Sequence, residues 1–325
     1  MSGSKGIIKW LIVCGLLSTC TEKEPAPATS PTEASLYLDQ ILTFIETNSI
    51  YRKTIDWTAY RKDTKEKAAQ AKTIAETYQA IEFAIKQLND NHSYYRLANG
   101  RSVIYFDSPC PEFDNPPDVI PPPNIGYIRI PGFDGFVNGL AAEKEFAQSL
   151  QDKIKNQDHA NLKGWIVDLR GNAGGNMNPM LVGVGPILGE GICGYFIDAD
   201  ERAYEYGYVN GARSFSEPLV ANPYKLIKPN PKVAVLIGLT GSSGEAITGA
   251  FVGRPDTQFF GAHGTCGQTT GIQGVTLSDG AILGVAATFM ADRNKNKFKG
   301  SILPDNKGDG TVNGAVTAAI EWLNN

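Results

Sequence analysis

Apolar and polar residues follow two different patterns along this chain. Between residues 34 and 88, apolar residues recur every three or four positions, as in "SLYLDQILTFIETN" and "KEKAAQAKTIAETYQAIEFAIKQLND", which predicts about three amphipathic helices. From about residue 125 onward, short apolar runs such as "LKGWIVDLRGN" and "KVAVLIGL" alternate with amphipathic stretches such as "GLAAEKEFAQSLQDKIKNQ". This alternation predicts strands and helices in turn, and "SDG" between two apolar runs predicts a hairpin. We therefore expect an α/β core preceded by a small helical cap.

The N-terminus has the layout of a signal peptide. Lys5 and Lys9 are followed by the short apolar run 10–17 and then by small residues. The tetrad "LSTC" ending at Cys20 resembles a bacterial lipobox, in which the cysteine is lipidated. We expect a signal peptide over 1–19 and, over 20–33, a proline-rich tether anchored by lipid to a membrane of the bacterial cell envelope. A plain secretory signal or an N-terminal anchor is the alternative.

Composition narrows the class of protein. The chain has 325 residues, 42% of them hydrophobic, so it can bury a sizeable core. Its net charge is −4 and it has no long basic run, which argues against a nucleic-acid partner. The cysteines lack metal-site spacing, and no metal or organic cofactor is implied. At most one disulfide is expected among Cys110, Cys193 and Cys266, which otherwise are small buried side chains; Cys266 is the best candidate for a cysteine nucleophile.

The glycine-rich stretch "VDLRGNAGGN" follows a predicted buried strand. Its glycines permit a tight turn that presents main-chain N–H groups, which suits a phosphate or a developing oxyanion. Asp168 and Arg170 are two residues apart on the strand, so they share a face and can brace the loop as an ion pair. The alternative is a purely structural turn.

A second candidate stretch is "TGSSGEA", between a predicted strand and a predicted helix. A serine here benefits from the helix dipole and from free N–H groups, as a nucleophile requires. However, Ser242 with Glu245 also forms the pattern of a capping box. A serine nucleophile needs a base, and either His92 or His263 can supply it, whereas His159 lies in a polar connection and is expected to be exposed.

The chain resembles the S41 peptidases, which include C-terminal processing proteases, the tricorn core and retinoid-binding modules. The resemblance covers about residues 85–310 and lies in ordered blocks, quoted as "NDNHSYYR", "IGYIRIPGF", "GWIVDLRGNAGGN", "VAVLIGLTGSSGEAITGAFVGR", "FFGAHGTCGQTTG", "LSDGAIL" and "ILPD". It implies a ClpP/crotonase-like layered core over 96–325, with the helical cap over 34–95.

The resemblance also implies roles for particular residues. It identifies Ser242 as the nucleophile and assigns the oxyanion site to N–H groups around Gly174 and of Ser243, with Asp168 and Arg170 flanking the loop. The processing proteases use a lysine base, but Gly267 occupies that position here. The tricorn-like branch draws its base from a histidine block, which implies His92, with His263 as the fallback.

Two further departures from the family affect the site. Asn91 stands where the tricorn-like branch has a serine before its histidine, and the glutamate that orients the histidine has no match. We therefore expect Glu245 or Asp292 to orient His92. Only residues 94–125 separate the cap from the core, too few for a PDZ domain.

Three functions follow from these patterns. The first is a secreted serine endopeptidase with a Ser–His mechanism and a protein or peptide substrate. The second is a catalytically silent module of the same fold that binds an apolar ligand or a peptide. The third, an acyl-thioester enzyme of crotonase type, is disfavoured by the serine block and by the signal peptide.

Overall fold

A computed structural model describes residues 32–104, 116–134 and 139–325. The predicted signal peptide, Cys20, most of the tether and Cys110 lie outside the described residues. The described part contains seven α-helices and eleven strands, in two sheets. None of its helices has the length and apolar character needed to cross a membrane.

The first three helices form the predicted helical layer. They are α1 (Glu33–Asn48), α2 (Trp57–Lys67) and α3 (Tyr78–Leu88), the last preceded by a 3₁₀ turn at Ile74–Thr77. The stretch quoted from residue 65 is not one continuous helix: residues 68–73 leave the helix, and a capping box of Thr73 and Glu76 starts the next one. α2 was missed because its residues are mostly polar and show little apolar periodicity.

The helical layer packs on an antiparallel sheet. This sheet has the order β2-β1-β11-β5-β6-β7, and β10 pairs with β11. Its strands are β1 (Tyr94–Arg96), β2 (Ser102–Ile104), β5 (Gly191–Asp198), β6 (Ala203–Val209), β7 (Ala212–Arg213), β10 (Thr270–Thr276) and β11 (Ile282–Ala291). The predicted hairpin is β10–β11. Side chains of α1 and α3 share one buried cluster with Tyr95, Leu283 and Val285. The helices and this sheet therefore have a common core, and together they are called the first layer of the fold.

A parallel sheet of order β3-β4-β8-β9 forms the second layer. Its strands are β3 (Ile125–Arg129), β4 (Gly164–Asp168), β8 (Val233–Leu236) and β9 (Thr257–Phe260). The helices against it are α4 (Leu140–Gln157), α5 (Met177–Leu188), α6 (Ser243–Phe251) and α7 (Val312–Asn324). One face of β4, with Trp165 and Val167, belongs to the core with α4, α5 and α6, whereas Ile166 packs with α7. The predicted α/β fold class is confirmed.

The parallel register brings the two candidate stretches together. Val167 pairs with Val235 and Asp168 with Leu236, so β4 and β8 end at the same edge of the sheet. Carboxyl ends of parallel strands are where ligands bind in open α/β sheets. The glycine loop follows β4 and the serine turn follows β8, so both lie at this edge.

Candidate active site

Ser242 occupies a sharp turn between β8 and α6. Its φ of 51° and ψ of −121° place it in a region that L-residues rarely adopt. The turn is held to the glycine loop because the Gly241 N–H donates to the Asn172 carbonyl at 2.9 Å. Ser242 is also the N-cap of α6, paired with Glu245 in a capping box. The capping role and a reactive hydroxyl are therefore compatible at this residue.

The Ser242 hydroxyl lies against a histidine from the other layer. Ser242 Oγ is 2.9 Å from His92 Nε2, across 150 residues of sequence. His92 follows α3, in a turn where Asp90 Oδ1 accepts the N–H groups of His92 and Ser93. Ser93 Oγ in turn accepts the Ala286 N–H at 2.9 Å, which ties the turn to β11. The sequence pattern indicates neither of these roles for Asp90 and Ser93.

Thr270, at the start of β10, contacts the other ring nitrogen. His92 Nδ1 is 2.7 Å from Thr270 Oγ1. If Nε2 accepts the serine proton, Nδ1 carries the hydrogen and donates it to Thr270, a tautomer assigned from this network. Burial lowers the pKa of His92 to about 4, although a main-chain hydrogen bond with Thr270 opposes the shift. The imidazole is therefore neutral at pH 7, as a general base must be.

The structure places Thr270, and not a carboxylate, at the orienting position. Glu245 was expected there, but its oxygens are engaged beside α6. Asp292, the other expected residue, accepts N–H groups of Asn294 and Asn296 and so holds a turn after β11. Neither Glu245 nor Asp292 is hydrogen-bonded to the ring of His92, so the expectation that one of them orients it is wrong. The contact was not visible in the sequence because 178 residues separate His92 from Thr270.

Thr270→Val is expected to lower kcat roughly tenfold, because the Nδ1–H of His92 loses its acceptor and the ring is less well oriented. Thr270→Ser keeps the hydroxyl and is expected to restore most of the activity. Steady-state hydrolysis of one peptide by the three proteins tests this. Full activity of the valine variant would mean that Thr270 does not position His92.

The glycine loop supplies N–H groups beside Ser242, but not the one expected. The Gly174 N–H donates to Asn172 Oδ1 at 2.8 Å, so it is already used. No described residue accepts the N–H of Gly175 or that of Ser243. A side chain at Gly174 would lie 2.8 Å from the Ser243 nitrogen, so the glycine permits close approach of loop and turn. The candidate oxyanion donors are therefore Ser243, as expected, and Gly175 in place of Gly174.

Glu245 anchors the loop that follows β9. Its carboxylate accepts four donors: the hydroxyl of Thr265 and the N–H groups of Gly267, Gln268 and Ser242. Burial raises the pKa of Glu245 to about 7, against these donors, which each favour the charged form. Glu245 thus links the serine turn to the loop that leads into β10, whose first residue is Thr270.

Asp168 and Arg170 form the expected ion pair, on the sheet face away from Ser242. Arg170 donates to both Asp168 oxygens, at 2.8 and 2.6 Å. Arg129 and the Tyr127 hydroxyl also donate to this carboxylate, which is fully buried. Both arginines reach the Pro117 carbonyl. The cluster therefore fixes the end of β4, from which the glycine loop starts, to the main chain at Pro117.

Asp168→Asn is expected to lower the free energy of unfolding by about 3 kcal/mol, since it leaves the buried guanidinium of Arg170 without its counter-charge. Asp118→Asn is the matched control. Its carboxylate also pairs with Arg129, at 2.7 Å, but is 72% exposed, so a loss below about 1 kcal/mol is expected. Urea unfolding measures both, and equal losses would contradict the assigned role of the buried cluster.

The Ser242–His92 pair opens into a large cleft between the layers. Its volume is about 1340 Å³, and its lining combines Gly175, Ser243 and the start of α5 with residues of β5, β10 and β11. A single small ligand needs roughly 300–1,000 Å³. The cleft is therefore large enough for several residues of an extended peptide. Among the described residues, no group of three His, Cys, Asp or Glu side chains is arranged to hold a metal ion.

Comparison with known proteins agrees with this geometry. Residues 124–307 match the model of peptidase family S41. The chain belongs to peptidase family S41. It is 30% identical over 298 residues to the nisin-resistance protein of Lactococcus lactis subsp. lactis, covering 90% of this chain and 88% of that one. The family resemblance read from the sequence is confirmed.

Two solved structures share the fold of this S41 family member. A lipoprotein from Streptococcus agalactiae has a TM-score of 0.71 at 23% identity, over 91% of this chain and 97% of that chain. The photosystem II D1 C-terminal processing protease has a TM-score of 0.52 at 14% identity, over 87% and 96%.

Other candidate residues of this S41 family member lie apart from the pair. His263 and His159 are exposed, and neither is hydrogen-bonded to Ser242. Cys266 is disulfide-bonded, so it has no thiolate to act as a nucleophile, and Cys193 is a buried free thiol. At Gly267, where the processing proteases have a lysine, the main chain donates to Glu245 instead.

Proposed function

We propose that this protein is a serine endopeptidase in which Ser242 is the nucleophile and His92 the general base. The single observation that carries the proposal is the 2.9 Å contact between Ser242 Oγ and His92 Nε2. It occurs at a strained strand-to-helix turn, in a cleft of peptide size. Nucleophile and base within hydrogen-bond reach, with the base oriented by a third group, is the arrangement that activates serine.

The reaction follows from the positions of these groups. Ser242 Oγ attacks the peptide carbonyl carbon while His92 Nε2 takes its proton. The N–H groups of Ser243 and Gly175 donate to the oxyanion that forms. His92 then gives the proton to the leaving amine, and an acyl-enzyme ester remains on Ser242. A water molecule, deprotonated by His92, attacks the ester and releases the new carboxyl end of the substrate.

The relatives suggest a substrate and a location. Because a relative of 30% identity is named for nisin resistance, nisin is the first peptide to test as a substrate. The signal-peptide layout supports secretion, and Cys20 is the proposed lipid anchor to the bacterial envelope. A solved protein of the same fold is described as a lipoprotein, which agrees with that placement.

The catalytically silent module is the competing proposal. As a binder of an apolar ligand it requires an apolar cleft, whereas charged side chains such as Arg52, Arg96 and Asp198 line this one. Labelling the purified protein with a fluorophosphonate, and analysing nisin incubated with it by mass spectrometry, separates the two proposals. A stoichiometric label and defined cleavage products support the peptidase. A folded protein that neither reacts with the probe nor cuts nisin or a mixed peptide library would be the silent module.

The pH profile is expected to reflect the burial of His92. Its imidazole must be neutral to accept the serine proton, and its pKa is lowered to about 4. We expect kcat/KM to stay level from pH 7 down to about 5 and to fall tenfold per pH unit below about 4. Circular dichroism at each pH separates this limb from acid unfolding. A limb near pH 7 would instead assign the profile to Glu245 and contradict the prediction.

A further inference from the structure

Arg213 is a cation in the cleft that has no counter-charge among the described residues. It lies on β7, an edge strand, and lines the same cleft as Ser242 and His92. Its Nε is buried and has no hydrogen-bond partner among the described residues. No described carboxylate forms an ion pair with it. Buried donors in native proteins are almost always paired, so this N–H is available to an acceptor that the described part of the chain does not supply.

The two carboxylates that line the same cleft, Asp198 and Asp200, lie toward the opposite end of β5 from Arg213 and are already engaged. Asp200 accepts Arg52 at 2.6 Å and Lys53 at 2.7 Å. Asp198 accepts the N–H groups of Asp200 and Arg202, so neither carboxylate is directed at Arg213. Burial lowers the pKa of Arg213, as expected for a desolvated cation that no anion stabilises.

A carboxylate is the ligand that fits such a group in a peptide cleft. The guanidinium fork matches the two oxygens of a carboxylate, and the pairing is strongest where water is excluded. Accepting the proposed peptidase function, we propose that Arg213 is a specificity-determining residue that binds a carboxylate of the peptide substrate. That carboxylate is the substrate's C-terminus or an acidic side chain.

The surroundings of Arg213 show where the bound chain continues. Arg213 also lines a second cavity of about 480 Å³, together with the acidic Glu205 and with Ile192, Val209 and Phe215. These three apolar side chains are exposed, Phe215 at 88%. Arg213 therefore lines both the cleft and a second cavity that contains apolar side chains. A substrate with an apolar residue next to its carboxylate fits both.

Binding to the Ser242→Ala variant tests the proposal without requiring hydrolysis. The probes are a fluorescent mixed octapeptide library made as free acids and as C-terminal amides, and a third form in which the amide carries one aspartate. We expect Ser242→Ala to bind at least one carboxylate-bearing form about tenfold more tightly than the plain amide. Ser242→Ala with Arg213→Met is expected to bind all forms equally, and Arg213→Lys to keep part of the preference.

Arg202→Met is the matched control, because Arg202 is 70% exposed, pairs with Asp198 and Asp200, and does not line the cleft. It must keep the full preference. Which form binds best separates a C-terminal from a side-chain carboxylate. Equal binding of all three forms, no binding of any of them, or a preference that survives Arg213→Met in a protein with unchanged circular dichroism would overturn the proposal. Fluorophosphonate labelling of the Ser242-containing protein reports the peptidase function separately.

Discussion

Replacing Ser242 with alanine is expected to lower kcat/KM for peptide hydrolysis by about 10⁴-fold or more, the size of effect seen when a serine nucleophile is removed. The variant should still fold, since the hydroxyl is the only group lost and the main-chain N–H of residue 242 still donates to Glu245. The oxyanion donors Ser243 and Gly175 also remain, so weak residual catalysis over water is expected. Fluorophosphonate labelling should disappear completely.

Ser149→Ala is the matched control for this change. Ser149 is an exposed serine on α4 whose hydroxyl bonds only to the Phe146 carbonyl. Its loss should leave both the label and hydrolysis unchanged. Hydrolysis by Ser242→Ala within tenfold of the unaltered protein would remove Ser242 from the mechanism, whatever its position in the structure.

Replacing His92 with alanine is expected to lower kcat by about 10²- to 10⁴-fold, the usual contribution of a positioned general base. KM should change little, because the imidazole is almost fully buried and contacts the nucleophile rather than the rest of the peptide-binding surface. Initial rates at saturating peptide measure the effect. His263→Ala and His159→Ala are the controls, and both should keep full activity because these residues are exposed and apart from Ser242.

The double variant tests whether the two side chains act as a unit. Once Ser242 is absent, His92 has no proton to accept, so adding His92→Ala to Ser242→Ala should cost no further activity. Additive losses would show that His92 contributes independently of the serine. Full activity of His92→Ala, or its loss in His263→Ala, would place the base elsewhere.

The features that the sequence predicted correctly are those coded by neighbouring residues. The apolar runs of β4 and β8 and the glycines after them fixed the edge at which Ser242 stands, because strand, turn and helix signals are local. Gly174 was expected to be an oxyanion donor because glycine patterns show where a chain can turn. They do not show that the side chain of Asn172, two residues away, uses the N–H.

The features that the sequence did not reveal depend on tertiary contacts. Thr270 reaches His92 across 178 residues, and Ser93 reaches Ala286 across 193. Thr and Ser are common in turns and strands for many reasons, so neither position carries a signal of its own. An acidic orienting residue was expected by analogy, but the geometry supplies a hydroxyl. No sequence pattern indicated Arg213 either, because an unpaired cation is recognised only when its surroundings in the fold are known.

The nucleophile and its base belong to different layers of the fold. Ser242 follows a strand of the parallel sheet, whereas His92 follows a helix that packs on the antiparallel sheet. Either layer formed alone would carry one half of the chemistry and be inert. On the proposed mechanism, peptide hydrolysis therefore requires both layers to be folded and docked, and a partly folded chain is inactive.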